Sequence, residues 1–401
     1  MTRISRAWLQ TAAVVFLACA IPAAAEECGT CHPEQRVQFE ESIHRSEDLL
    51  CSSCHGGDPD ARTTEAAHRG RFDPLTDRLG QPAACAGCHA DLERMRAYNL
   101  PIDQYALYRT SQHGQALARG DSRVAICSDC HGAHGVVRVS DPRSPAYRRN
   151  VVDTCAHCHS DVDLASEYGL DPTIPDQYRA GVHGQALLVG GNLAAPNCTH
   201  CHGVHGATPP DVGNIEKVCG MCHDDTRRAF HSSPHHAAME AAGLPECESC
   251  HSNHEIRSIG RSEIRQTCAE CHEPDSAESR VGEEMQALID EAEQEVAAAE
   301  AMVERARTVP LAVIGYESRL EEARTYITES LTMVHTLSPE QVGWISQRAR
   351  GIAHEVQDEI EHEMDPTNRL VVLAAFWFYL LMTLAVLFFY RRRLDATEPT
   401  P

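Results

Sequence analysis

From about Ser279 onward, apolar residues recur at three- and four-residue intervals, the period of one face of a helix. Met285, Leu288, Ala292, Val296, Ala299 and Val303 form a first stripe, which Pro310 ends. Ile314, Leu320, Ala323, Ile327, Leu331 and Val334 form a second. Ser338-Pro339-Glu340-Gln341 then supplies an N-cap, a first-turn proline and a capping-box partner. The helix that follows carries Val342, Ile345, Ala349, Ile352, Val356 and Ile360. These breaks favour an antiparallel three-helix bundle over residues 281–365 rather than one long coiled coil. Asp365-Pro366 restarts the chain, and Leu370–Tyr390 is 21 residues without a charge, enough to cross a bilayer. Arg391-Arg392-Arg393 follows directly, so the positive-inside tendency places a tail of residues 391–401 in the cytoplasm. At the other end, Arg3 and Arg6, the apolar run Ala12–Ile21 and Ala23-Ala24-Ala25 read as a secretory signal peptide over residues 1–25.

Residues 26–280 keep neither period. Their regular feature is Cys-x-x-Cys-His, which occurs nine times and uses 18 of the 19 cysteines. The pairs are Cys28/Cys31, Cys51/Cys54, Cys85/Cys88, Cys127/Cys130, Cys155/Cys158, Cys198/Cys201, Cys219/Cys222, Cys247/Cys250 and Cys268/Cys271. The histidines that close them are His32, His55, His89, His131, His159, His202, His223, His251 and His272. This is the attachment pattern of c-type haem: two thiols add to the two vinyl groups, and the adjacent imidazole reaches the iron. Zinc clusters need no histidine after every pair, a thioredoxin-like motif is expected once, and disulfides would not need the fixed triplet. The remaining cysteine, Cys19, lies in the leader. Nine covalent haems are therefore expected.

The array repeats internally. His89–His113 and His159–His183 align without gaps at an offset of 70, matching Asp91/Asp161, Tyr98/Tyr168, Leu100/Leu170, Tyr108/Tyr178, Arg109/Arg179 and His-Gly-Gln-Ala-Leu. His32 to His44 and His223 to His235 are shorter versions. Four modules result, each with one free histidine followed by two attachment motifs, and one extra motif stands in front at Cys28. The free histidines His44, His113, His183 and His235 are candidate distal ligands. So are His134, His205 and His254, three residues after a motif histidine. At i and i+3 two side chains share one side of a helix, so each of these must serve a different haem from its neighbour. Asp58 stands where the first module would have such a histidine, with His68 the nearest substitute. His335, at the end of the second amphipathic stripe, is the ninth candidate. His157, His200, His231, His236, His354 and His362 are not expected as ligands. Methionine ligation is nearly excluded, because outside the motifs the segment offers only Met95 and Met239.

Composition narrows the fold and the partners. Nine haems in so short a segment leave too little chain for an ordinary side-chain core, and only 5% of the 401 residues are aromatic. The porphyrins themselves are expected as the core, wrapped in short helices and loops, giving a mostly α fold with extensive irregular loops. Lys+Arg number 35 against Asp+Glu 58, a net charge of -23, so no basic patch exists to neutralise nucleic-acid phosphates.

The repeated Cys-x-x-Cys-His, its doubled arrangement and the stretch Cys127-Ser-Asp-Cys-His-Gly-Ala-His-Gly135 resemble the low-potential multihaem cytochromes c of respiratory bacteria. The resemblance covers residues 28–272 well and the helical segment more loosely. It implies electron transfer between a membrane quinol pool, or a membrane partner subunit, and periplasmic or extracellular acceptors. In that setting the haem domain faces the periplasm and the last helix anchors it to the cytoplasmic membrane. The alternative is a multihaem reductase of nitrite, hydroxylamine or a sulfur oxyanion, which needs one iron with an open face. All nine motifs end in histidine and free histidines are numerous, which favours a conduit without substrate chemistry. A haem-based gas sensor would need an output domain, and none follows Arg393 in this sequence.

Overall fold

The computed structural model describes residues 27–208, 215–308 and 312–395. The signal-peptide reading, Cys19, the break at Pro310 and residues 396–401 of the tail lie outside these. Among the described residues every regular element is helical and no strand occurs, in keeping with the expected mostly α class. The chain divides into two compact units, one of Met1–Cys158 with Gly203–Thr208, the other of His159–His202 with Pro209–Pro401.

The repeat has a physical basis in matched local bonds. Asp91 caps its helix by accepting from the amides of Glu93 and Arg94, and Asp161 does the same for Asp163 and Leu164. The Tyr108 hydroxyl donates to the Ala125 carbonyl (2.9 Å), and Tyr178 to Pro196 (2.7 Å). Each tyrosine thus ties its helix to the residue two positions before the next attachment motif. The Gln115 amide donates to the Thr110 carbonyl, and Gln185 to that of Arg179, one position out of the repeat's register. Gly114 and Gly184 lie so close to the preceding turn that a Cβ would sit 2.0 Å from the Tyr108 or Tyr178 oxygen. That proximity explains why glycine follows His113 and His183.

In the second unit, α1 (Ala277–Ala306), α2 (Ile314–Met333) and α3 (Pro339–Met364) pack together around one apolar core. Cross-links fix their directions. Arg350 of α3 reaches Glu291 (2.9 Å) and Glu295 (3.0 Å) of α1, while Leu288 touches the backbone at Gly343, so α1 and α3 run parallel. Arg324 of α2 bonds Glu300 of α1 (2.6 Å), Arg307 bonds Glu317, and Arg319 bonds Glu359 of α3 (2.8 Å). The second helix is therefore antiparallel to both. Ser338 caps α3 by accepting from the Gln341 amide, and Pro339 occupies its first turn.

The buried stripe of α1 is Met285, Ile289, Ala292, Val296, Ala299 and Val303. Here the sequence reading needs correcting, because Leu288 is only half-buried and Ile289 takes the core position. The same shift occurs in α3, where Ala353 is buried and Ile352 lies at the margin. Ile314, expected in the second stripe, is 78% exposed at the first position of α2. The core continues into the last attachment motif. Ile264 belongs to the bundle cluster, Cys268 packs against it, and Gly282 of α1 leaves room for the Cys268 sulfur.

The final helix α4 (Pro366–Asp395) contains the apolar span Leu373–Arg393, none of which is buried. A core helix would be covered by the protein. This one exposes Phe376, Trp377, Phe378 and Tyr379 together, as a helix suited to a bilayer does.

Candidate functional site

Most attachment motifs are a turn of helix or the end of one, whereas helices Ile215–Gly220 and Ile264–Cys268 stop at or just inside theirs. Cys51–His55, Cys127–His131 and Cys198–His202 are single turns, whereas Gln81–His89 and Val151–His159 are longer helices that end on the motif. Helical spacing sets both cysteines on one side, as addition to one planar group requires. Among the described residues no disulfide joins these cysteines. After three of the motif histidines the backbone turns through positive φ at glycine: Gly56 (67°), Gly132 (82°) and Gly203 (88°). After His251 the same turn is made by Ser252 at 58°, a conformation that costs a side-chain residue more than glycine. Neighbouring motifs approach each other within each unit, Cys85 beside Cys127 and Cys219 beside Cys247.

Cys31, Cys54, Cys130, Cys222 and Cys271, each the second thiol of its motif, are exposed, as is Cys85. Cys28, Cys51, Cys127, Cys219 and Cys268, each the first of its motif, are half-buried. In Cys155/Cys158, Cys198/Cys201 and Cys247/Cys250 both thiols are half-buried, so the motifs share no single pattern of cover. Cys88 reverses the order seen in the five pairs named first. It is half-buried, and its sulfur accepts from Arg94 Nη1 at 3.1 Å, a polar neighbour that the motif alone did not reveal. A thioether sulfur remains a weak acceptor, so this bond is compatible with attachment.

Asp129, inside one motif, holds its turn in place. Its carboxylate accepts from the Ile126 amide (2.8 Å) and from Arg78 Nη2 (2.6 Å). Burial opposes its ionisation, but Arg78 and the amide outweigh burial and hold the carboxyl below the usual range.

The histidines form pairs. In the first unit His32 faces His68, His44 faces His89, His55 faces His134 and His131 faces His205, with ring centroids 6.3, 6.1, 6.1 and 6.1 Å apart. In the second, His183 faces His223 (6.2 Å), His202 faces His254 (6.1 Å), His235 faces His272 (5.9 Å) and His251 faces His335 (6.1 Å). Every pair joins one motif histidine to one histidine from the distal set. These rings are not stacked in contact: His231 and His236, which are, stand 4.0 Å apart. One ion bonded to two imidazoles at about 2.0 Å, with about 1.1 Å more from nitrogen to ring centre, would set the centroids roughly 6 Å apart. The spacing is therefore that of two rings facing each other across a single metal ion.

Hydrogen bonds settle the orientation of several rings. His335 Nδ1 lies 3.1 Å from the Thr332 carbonyl, His55 Nδ1 2.9 Å from that of Asp73, and His251 Nδ1 3.0 Å from that of Arg257. A carbonyl can only accept, so Nδ1 carries the proton and the Nε2 lone pair is left for a metal. Burial, and in most cases the neighbouring imidazole, lowers the pKa of His44, His131, His134, His183, His235, His254 and His335. Burial alone does so for His89 and His205, the latter against Asp103. Neutral imidazole is the form that binds metal.

The pairing obeys two rules that spacing alone does not show. A histidine three residues past a motif faces the motif two places earlier: His134 faces His55, His205 faces His131, and His254 faces His202. The histidine that opens a module faces the second motif of its own module, as His44, His183 and His235 do. The ends of the array then explain themselves. A histidine at Asp58 would have to face a motif before the first, and none precedes it in this sequence. The motif of His251 has no motif two places later to supply a ring, and His335 from the bundle supplies it. His68, stacked on Phe72 at 4.2 Å, faces the leading motif. His113 opens the remaining module, His159 closes the fifth motif, and both have interaction partners.

The histidines not expected as ligands have other neighbours. His200 Nδ1 bonds the Asn197 side chain (2.7 Å) and His354 pairs with Glu295. The reading of sequence did not find the Asp129–Arg78 pair, whose partners are 51 residues apart, or the carbonyls of Asp73, Arg257 and Thr332, since backbone groups leave no residue-type signal.

Among curated proteins the chain is similar to "Multiheme cytochrome MtrA" of Shewanella baltica (strain OS185), 26% identical over 139 residues. The match covers 33% of this chain and 31% of that protein, so the chain spans less than a third of the relative's length. No family model matches the chain. No solved structure matches it.

Proposed function

We propose that this chain is a multihaem c-type cytochrome whose work is to pass electrons, with nine covalent haems each held between two imidazoles. The observation that carries the reading is the set of eight histidine pairs, each joining an attachment motif to one ring from elsewhere, 5.9–6.3 Å apart. The likeness to a multihaem cytochrome over a third of the chain supports it. When bound, haem iron supplies one-electron exchange between ferrous and ferric states. The chain supplies everything that tunes and arranges this. Its cysteines would hold each haem, its paired histidines would bind the iron, and the Asp73, Arg257 and Thr332 carbonyls orient three of those rings and raise their basicity. Bis-histidine ligation favours low potentials. The expected ligands are the nine motif histidines with His44, His68, His113, His134, His183, His205, His235, His254 and His335.

In this reading residues 26–280 form the haem domain, on the periplasmic side of the cytoplasmic membrane, and α4 is the anchor. Electrons come from a quinol pool or a membrane subunit and leave to periplasmic or extracellular acceptors. With both faces of each paired site occupied by imidazole, a conduit is favoured over reduction of a small inorganic substrate at an open iron.

Carbon monoxide binding to the reduced, detergent-solubilised protein tests this. The wild type should show no rapid spectral change, and His335→Ala or His183→Ala should each gain a response worth about one haem in nine. A wild-type response of that size would replace the conduit by an enzyme, and no gain in either variant would sink the pairing as ligation.

A further inference from the structure

His231, His236 and Glu246 take no part in the haem-ligand pairs, yet they converge. Each presents a donor atom, and the three lie within 4.8 Å of one another. His236 Nδ1 is 2.7 Å from Glu246 Oε1, and His231 Nε2 is 3.9 Å from Oε2. The two rings are nearly parallel, 11° apart. The Glu246 side chain is only 11% exposed, and its Oε2 is buried with no hydrogen bond. Buried carboxylate oxygens are normally satisfied. An orphan aimed at two imidazoles marks a place where a cation is missing from the balance of charge and bonds.

The internal repeat supplies a control. The three positions are four before the module-opening histidine, one after it, and one before the next motif. In the other modules they hold Glu40, Arg45 and Leu50, then Arg109, Gly114 and Ile126, then Arg179, Gly184 and Asn197. None of these sets could bind a metal through two imidazoles and a carboxylate. Holding haem in a module therefore does not require the cluster. It is an addition made once, in the module of His235, and all three positions change together.

We propose that His231, His236 and Glu246 form a non-haem site for one divalent first-row transition ion of the zinc class. Two imidazoles and one carboxylate suit such an ion and not calcium or magnesium, which take all-oxygen shells. Three protein ligands leave a fourth position for water. Binding through His236 Nδ1 needs that nitrogen free of its proton, so the neutral ring carries its proton on Nε2 when the ion is bound. The ligands come from the end of helix Asp224–His231, the start of helix Pro234–Ala242 and the residue before Cys247. The ion thus fastens three segments around the helix that carries His235.

The test uses the full-length, haem-loaded protein, stripped with a chelator, dialysed against zinc and assayed for zinc per chain by mass spectrometry. The parent should hold one zinc more than Glu246→Gln and His236→Ala, and the surface variant His354→Ala should match the parent. Added zinc should raise the melting temperature of the parent and leave that of Glu246→Gln unmoved. Equal zinc in the parent and Glu246→Gln would overturn the site. Glu246→Gln keeps the shape of the side chain, so it decides the matter even if His236→Ala folds poorly. Haem content, read separately as pyridine haemochrome, distinguishes failure of the haem reading from failure of the zinc site.

Discussion

Gly184 shows how a single atom governs a ligand position. A Cβ there would meet the Tyr178 carbonyl oxygen at 2.0 Å and the Arg179 Cα at 2.9 Å, both backbone. Neither can move without displacing the helix whose tyrosine anchors the next motif. Gly184→Ala should therefore cost about 1–3 kcal/mol, the usual penalty for overpacking, and disturb the adjacent His183–His223 pair. The check is the melting curve followed at the Soret band, where the variant should melt earlier and show a high-spin component absent from the wild type. An unchanged curve would mean that the close approach is not a constraint. The glycine itself was legible as part of the repeated His-Gly-Gln-Ala-Leu, but its reason was not. Only the folded backbone shows which carbonyl it meets.

At the scale of elements, periodicity located α1, α2 and α3 but not their inner faces to the residue. Three-four spacing is satisfied by Leu288 or by Ile289, and the parallel packing of α1 on α3 selects Ile289, which is fully buried. Ile289→Ala should destabilise the bundle by about 2–5 kcal/mol, since it removes buried methylenes and leaves a cavity. His335 sits in the turn Val334–Thr336 that ends α2, so the bundle and the His251 pair are mechanically joined. Thermal loss of helix, read by circular dichroism, should fall to a lower temperature in the variant. One high-spin haem should appear at that same midpoint. If the spectral change and the helix loss separate, His335 is not held by the bundle.

At the scale of the whole molecule, the charge-free run at the C-terminus and the paired histidines describe two separable jobs. The apolar span of α4 is not buried by the rest of the protein, so the haem-bearing part does not need it to fold. Ending the chain after Asp365 should move the protein from the membrane to the soluble fraction with its visible spectrum unchanged. Retention in the membrane fraction would show that another surface does the anchoring. The division into two units could not be read from composition, because it runs through the repeat array and leaves Gly203–Thr208 with the first unit.

Sequence by itself determined the chemistry of attachment, the modular repeat, the helical C-terminal segment and which histidines stand apart from the motifs. These are local matters: a thiol pair, a period, a charge-free run. It also pointed each histidine three residues past a motif to a different partner from its neighbour's. The structure places it so by a turn at Gly132, Gly203 or Ser252 after the helix ends, not by the shared helical face expected. Which histidine faces which was decided by tertiary structure alone. The partners His55 and His134 are far apart in the chain, as are His251 and His335, and no pattern of spacing encodes such a meeting. Tertiary structure also decided that His335 meets His251, because the turn that ends α2 brings a ring of the helical bundle to that motif.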